Sequence, residues 1–183
     1  PYSVYRGRIP EWIHSFPLHW HEGFELIYCE AGSIQAVLWG RAYTLRAGDL
    51  LVVLPHAVHS IERAGPAEGE YYNIIFHPSL FKGAGGDPCY DKYVLPFVNG
   101  ERTMDCFQPA GSAFNLDVAP CVLPLIAHRR ESHSTYELMV KSNLFQLLYH
   151  MTQYSVPAAA SDGGLRLSYS CLLYTSPSPR DVE

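Results

Sequence analysis

No stretch of this sequence approaches eighteen consecutive apolar residues, so no segment is expected to cross a membrane as a helix. Positive charge is scarce: 13 lysines and arginines against 18 aspartates and glutamates leave a net charge of −5. The basic residues are scattered, whereas a surface that grips nucleic acid concentrates them to neutralise phosphates. This chain is therefore not expected to touch DNA itself. The five cysteines (Cys29, Cys89, Cys106, Cys121, Cys171) are odd in number and never form a C-x-x-C pair. That disfavours both structural zinc and a disulfide framework, and it fits a reducing cytoplasm. No basic-then-apolar leader follows Pro1, so no export signal is expected, and the missing initiator methionine reads as a trimmed or partial chain. A dinucleotide fingerprint, a P-loop and an internal repeat are also missing. What is present is an ordinary globular balance, 48% apolar and 17% charged over 183 residues, enough for one well-buried domain.

Residues 1 to about 77 read as strands. "FELIYCEA" (24–31), "IQAVLW" (34–39), "AYTLRA" (42–47), "DLLVVLP" (49–55) and "EYYNIIFH" (70–77) are short and rich in β-branched and aromatic residues. Gly32, Gly40, Gly48 and the Gly65-Pro66 pair punctuate them as turns. Such regular spacing predicts a sandwich or barrel. Between 78 and 116 the pattern weakens, with one short helical turn expected in "CYDKYVLPFV". A helix is predicted over 134–154, opened by a Ser134-x-x-Glu137 capping box. Tyr136, Val140, Leu144, Leu147 and Met151 recur along it at helical spacing. "VAPCVLPLIAHRR" (118–130) reads as its partner, started or kinked by Pro124. Residues 155–168 read as a small-residue linker. "SCLLYTSPSPRD" (170–181) resembles translated sequencing-adapter read-through of the kind found in assembled metagenomic sequence, so 169–183 is expected to be a non-native or disordered tail.

The chemistry concentrates in "HWHEGFE", residues 19–25. Side chains of equal parity share one face of an extended strand, so His19, His21 and Glu25 are expected to look into one cavity with Ile27 and Cys29. His59 closes the run "GDLLVVLPHAVH" on or after a neighbouring strand. Three imidazoles and a carboxylate suit a divalent transition metal. The other reading is that they wall a pocket or form buried hydrogen bonds without an ion.

The spacing H-x-H-x3-E-x6-G at His19, His21, Glu25 and Gly32 resembles the first cupin motif, and Gly48 to His59 resembles the second. The second departs from the pattern: Pro55-His56-Ala57 stands at the usual P-x-G turn, the interval to the histidine is one residue shorter, and no Asn follows. The ordered set "FPLHWHEGFELIYCEAGSIQAVLWGRAYTLRAGDLLVVLPHAVHSIE", "YYNIIFHPSLF" and "YELMVKSNLFQLLYHM" resembles the N-terminal sensor domain of AraC-type transcription regulators over residues 15–154.

That resemblance implies a mainly β chain with C-terminal helices: a cupin-like β-barrel (jelly roll) over 1–112, then an antiparallel helical pair over 113–154. It implies a small-molecule effector, such as a sugar, a homodimer, and DNA contact only through a helix-turn-helix domain missing here. His19, His21, Glu25, Ile27 and His59 become candidate effector contacts. The stripe Tyr136, Val140, Leu144, Leu147 and Met151 becomes a candidate dimer seam. No enzymatic activity is expected. Two alternatives stand beside this reading, a stand-alone metal-dependent cupin enzyme (dioxygenase or isomerase) and a carbohydrate-binding module. Trp20 and Tyr28 are expected in packing, opposite the histidines. Trp39, Tyr43, Tyr72 and Phe76 read either as lining of a ligand pocket or, as aromatic residues in strands more often are, as core. Arg8, Arg41, His128, His133 and His150 read as surface groups, and Arg129-Arg130 as cations favoured at a helix C-terminus.

Overall fold

The computed structural model describes residues 2–10, 15–65, 68–83, 85–129 and 134–159. Seven strands come first: β1 (Tyr2–Ile9), β2 (Ser15–His19), β3 (Phe24–Leu38), β4 (Arg41–Arg46), β5 (Leu50–Val53), β6 (His59–Arg63) and β7 (Gly69–Phe76). A 3-10 turn (Pro78–Phe81) follows, then a π-helix (Tyr90–Val94) running into α1 (Leu95–Val98). The short strands β8 (Arg102–Thr103) and β9 (Phe107–Gln108) lead to α2 (Ala113–Ala127), α3 (Tyr136–Tyr154) and the short β10 (Val156–Pro157). The expected mainly β fold with C-terminal helices is what forms. Among the described residues no helix is long and apolar enough to cross a membrane.

β3 is the spine of the barrel. Its first half pairs with β7 and β5, its second half with β4 and β6. One layer therefore runs β1–β7–β3–β5–β9, and the other is completed by β6, β2 and β4. Two separate strands were expected here, with Gly32 as the turn between them; the structure has one fifteen-residue strand. Gly32 is a bend inside it, with φ +66° and a register shift against β7 between Cys29 and Ala31. The bend needs glycine because a Cβ there would lie 1.9 Å from the Glu68 carbonyl oxygen.

Alternation along β3 divides the core in two. Phe24 and Leu26 point outward with Tyr72, Ile74 and Phe76 of β7, into a cluster shared with α2 and α3. Ile27 and Cys29 point inward, with Ile34, Leu51, Val53 and Ile61 filling the barrel. Both faces of this sheet are buried, which explains why "FELIYC" reads as nearly continuous apolar sequence. Tyr28 packs against the outer cluster as expected, and Tyr43 and Trp39 against the inner one.

The helices differ from expectation in their starts. α2 begins at Ala113, five residues before the predicted 118, and carries both Pro120 and Pro124 in its interior. Its cap is Ser112, whose hydroxyl accepts from Asn115 N. The Asn115 amide in turn donates to the carbonyls of Gly48 and Gln108. Asp49 joins the same corner, accepting from Arg46 N and Ala110 N at 2.8 Å each. α3 begins at Tyr136 rather than 134, and no capping side-chain bond forms at its start. The expected Ser134–Glu137 box is thus not the cap.

Val140, Leu144, Leu147 and Met151 are buried in this chain's own core, with Tyr136 packed beside them. The stripe expected as a dimer seam is intrachain packing, because α2 and the outward face of β3–β7 already cover it. Tyr154 donates to Asp117 and stacks edge-on against Phe114, so the end of α3 meets the start of α2 and the pair is antiparallel. Part of the expected linker is structured: Val156 and Pro157 pair with β8, and Arg102 grips Ser155 at both its hydroxyl (2.8 Å) and its carbonyl (2.6 Å). Arg129 bonds the Ile126 carbonyl at the end of α2 and lies over Tyr72. The expectations for Pro66, Arg130, His133, Cys171 and the tail 169–183 lie outside the described residues, as does most of the linker.

Candidate metal and effector site

"HWHEGFE" is not one strand. β2 ends at His19, a turn covers 20–23, and β3 starts at Phe24. The corner is held by the second motif, where His56 N donates to the His21 carbonyl at 2.9 Å. His56 adopts φ +64° and its ring lies 5.8 Å from that of Trp20. His59 opens β6 and pairs directly with His19. Although the strand is broken, His19, His21 and Glu25 still converge with His59, whereas Trp20, expected on the opposite face, lies beside His21. One donor atom from each of His19, His21, Glu25 and His59 lies within 4.8 Å of the others.

Each imidazole is locked through Nδ1. His19 donates to the Pro17 carbonyl at 2.9 Å, His21 to Gly23 at 3.0 Å and His59 to Ala57 at 2.8 Å. A carbonyl only accepts, so Nδ1 carries the proton and, in the neutral ring, Nε2 presents a lone pair. These Nε2 atoms converge on a carboxylate: Glu25 Oε2 is 2.7 Å from His21 Nε2 and 3.1 Å from His59 Nε2. Lone pairs facing an anion at those distances require positive charge, either ring protons or a cation among them. His19 Nε2 and Glu25 Oε1 are buried with no hydrogen-bond partner. Two orphaned donor atoms in one buried cluster, with each ring oriented by a main-chain carbonyl, fit a divalent transition metal.

The electrostatics follow the geometry. Glu25 is fully buried; burial pushes its carboxyl up, but the hydrogen bonds from His21 and His59 outweigh this and hold it well below the usual carboxylate range. Burial, reinforced by the neighbouring His59 imidazole, pushes His19 down to about 4.

A cavity of about 440 Å³ opens beside the cluster, lined by Ser3, Trp20, His21, Glu22, Ile75 and His77. His21 belongs to both. Trp20, expected in packing, is half-buried and forms the wall of this cavity. Glu22 and His77 face each other across it at 3.5 Å; neither was a sequence candidate, and their only signal was adjacency to the first motif and to the end of β7. Ile27 is fully enclosed in the inner apolar cluster and does not line the cavity. Arg8 is engaged by Glu68 and Glu70, and Arg41 lies over the Tyr43 ring, which fits their expected surface role.

Among solved structures, the chain is similar to a cupin protein from Bacteroides fragilis at 21% identity, over 45% of this chain and 70% of that one, with a TM-score of 0.40. It is similar to a predicted oxalate decarboxylase from Thermotoga maritima at 28% identity, over 40% of this chain and 64% of that one, TM-score 0.37. It is also similar to the polyketide cyclase RemF from Streptomyces resistomycificus at 19% identity, over 40% and 53%, TM-score 0.36. The matched part is less than two thirds of the last two chains, and no activity is carried over from these similarities. No curated protein sequence matches. The model of the AraC-like ligand binding domain matches residues 1–148, four fifths of the chain, and the chain belongs to that family.

Proposed function

We propose that this chain is the effector-sensing domain of an AraC-type transcription regulator, and that its effector enters the cavity at the barrel mouth. The observation that carries the reading is His21, which presents one ring to both the buried cluster and the open cavity. Beside it, the Trp20 indole offers an apolar face, while Glu22 and His77 offer hydrogen bonds. A few aimed polar groups against an aromatic wall suit a small polar molecule such as a sugar or an organic acid. The domain binds and does not catalyse. A divalent metal held by His19, His21, Glu25 and His59 would supply a Lewis-acidic anchor for an effector oxygen, and the Nδ1 bonds keep the rings aimed for it.

The domain is cytoplasmic, pairs as a homodimer and reaches DNA only through a helix-turn-helix domain outside this chain. The net charge of −5 supports the last point. Dimer contact falls to the outer face of the helical pair, where Leu116, Leu123 and Leu138 are exposed, since the stripe of α3 is already used inside.

The second reading, a metal-dependent cupin enzyme, is favoured by the buried three-histidine, one-carboxylate set. A thermal-shift screen of sugars and organic acids tests both. The sensor reading expects a stabilising ligand whose effect is lost in Trp20→Ala and His21→Ala, with the ligand recovered unchanged. Turnover of that ligand by protein carrying stoichiometric metal would overturn it.

A further inference from the structure

A second cleft lies away from the histidine cluster, where the π-helix Tyr90–Val94 meets the last turns of α3. It measures about 300 Å³, and five rings line it: Phe81, Tyr90, Tyr93, Phe145 and Tyr149. None of its lining residues belongs to the barrel-mouth cavity. Three of these rings are exposed, Tyr93 at 37%, Phe145 at 46% and Tyr149 at 60%. They stand beside a fully packed interior, with Phe145 edge-on to buried Phe81 at 5.2 Å. A single exposed ring needs no explanation, but several converging on one concavity mark a binding surface. Single π-turns also occur frequently at functional sites.

The cleft's own polar groups are three phenol hydroxyls, Thr152, Cys89 and Gln153, and two lysines stand over its rings. Lys92 Nζ lies 5.1 Å from the Tyr93 ring centre and Lys82 Nζ 5.9 Å from that of Tyr90. Neither lysine has a carboxylate within 4 Å among the described residues. Asp87, the nearest acid in sequence to the loop, is taken up by the amides of Gly83, Cys89 and Tyr90. Asp91 precedes Lys92 on the π-helix. Gln153 of α3 adds an amide at the cleft.

We propose that this cleft is a second ligand site, for a planar aromatic carboxylate: the rings stack on its faces and edges, and Lys82 and Lys92 take its charge. The site touches Thr152 and Gln153, directly before the Ser155 that Arg102 grips. A ligand bridging the π-helix and α3 therefore bears on the end of α3 and on the Arg102 clasp that follows it, and the site acts alongside the barrel-mouth cavity rather than through it.

The probe is 2-naphthoate, with the neutral 2-naphthylmethanol as its comparator, titrated calorimetrically into the full chain. Exposed Cys89 lines the cleft, so its alkylation by iodoacetamide, mapped by peptide mass, reports occupancy. The expected results are saturable one-to-one binding, alkylation of Cys89 slowed at least fivefold, and affinity reduced about tenfold in both Phe145→Ala and Tyr149→Ala. Lys92→Ala and the neutral alcohol should each weaken binding severalfold, while Glu137→Gln, exposed on the same helix two turns before the cleft, should not. The proposal is overturned if no saturable binding occurs, if both aromatic variants bind as wild type, or if the alcohol binds as well as the acid. It is equally overturned if Phe145→Ala and Tyr149→Ala dissociate a dimer without changing naphthoate affinity, which would make the cleft a contact between copies.

Discussion

At the scale of single residues, the histidine cluster is a set of groups that agree on everything except their charge. Three Nδ1 bonds fix three rings, and Glu25 is left with one oxygen satisfied and one orphaned. Zinc or nickel ions at a hundred times the dissociation constant should therefore raise stability by about 2.7 kcal/mol. His21→Ala, which alters the most accessible of the four, should abolish that rise, as read by thermal unfolding with and without added metal. The same cluster makes metal-free protein acid-sensitive. His19 is pushed down to about 4 in the native state, so as pH falls from about 6.5 the unfolded chain takes a proton that the folded one refuses. Glu25, held low by His21 and His59, adds to the loss at lower pH, because it stays ionised while its unfolded counterpart protonates. Stability should drop by about 2 kcal/mol between pH 7 and pH 5, measured by urea midpoints, and His19→Gln should flatten that slope. His19, His21 and Glu25 were legible in the sequence because parity survives a turn that returns the chain to the same barrel face, and His59 because it closes the second motif-like run. Trp20, Glu22 and His77 were not, because a cavity wall is made by neighbours in space and those three carry no spacing of their own.

At the scale of elements, the helices separate what periodicity encodes from what it leaves open. The stripe on α3 was readable to the residue, but periodicity says only that a face is buried, not whether the same chain or another copy buries it. Leu147 is fully buried within this chain, so Leu147→Ala should cost about 2–5 kcal/mol. That loss should be the same at low and high protein concentration in urea titrations; a loss that shrinks on concentrating would return the stripe to a dimer seam. α2 was misread at its start because Pro120 and Pro124 obscure a helix whose true signal is the Ser112 cap. Each proline lacks the amide that would bond the carbonyl four residues back. Pro120 is exposed, and Pro120→Ala restores a bond to the Leu116 carbonyl. It should stabilise the protein by about 1–2 kcal/mol, less than the roughly 3 kcal/mol of an interior proline because proline also restricts the unfolded chain. A lowered urea midpoint would contradict this.

At the scale of the whole molecule, the mainly β class with C-terminal helices was legible and its connectivity was not. Strand-rich sequence with turns every eight to ten residues was enough for a sandwich or barrel, but Gly32 looked like any other turn glycine, since only the approach of Glu68 and Gly69 makes it a bend. The outer face of the helical pair keeps Leu116 and Leu123 exposed at 62% and 47%, one i, i+7 line along α2. If this face carries the proposed homodimer contact, Leu123→Glu should shift the protein from dimer to monomer in sedimentation velocity without changing its thermal midpoint at high dilution. Unchanged sedimentation would move the contact elsewhere. β3 finally ties these scales together, for its two ends report to one place: Glu25 near its beginning is a member of the cluster, and Leu38 at its end pairs with His59, another member. In polymer terms, an ion bound there is a cross-link that closes roughly forty residues, from His19 to His59, into a ring. Loop-closure entropy for a ring of that size is worth about 4 kcal/mol against the open chain. The ion must also be lost before those residues can separate, so a ligand-binding domain of this build could register its ligand through its own lifetime as well as its shape.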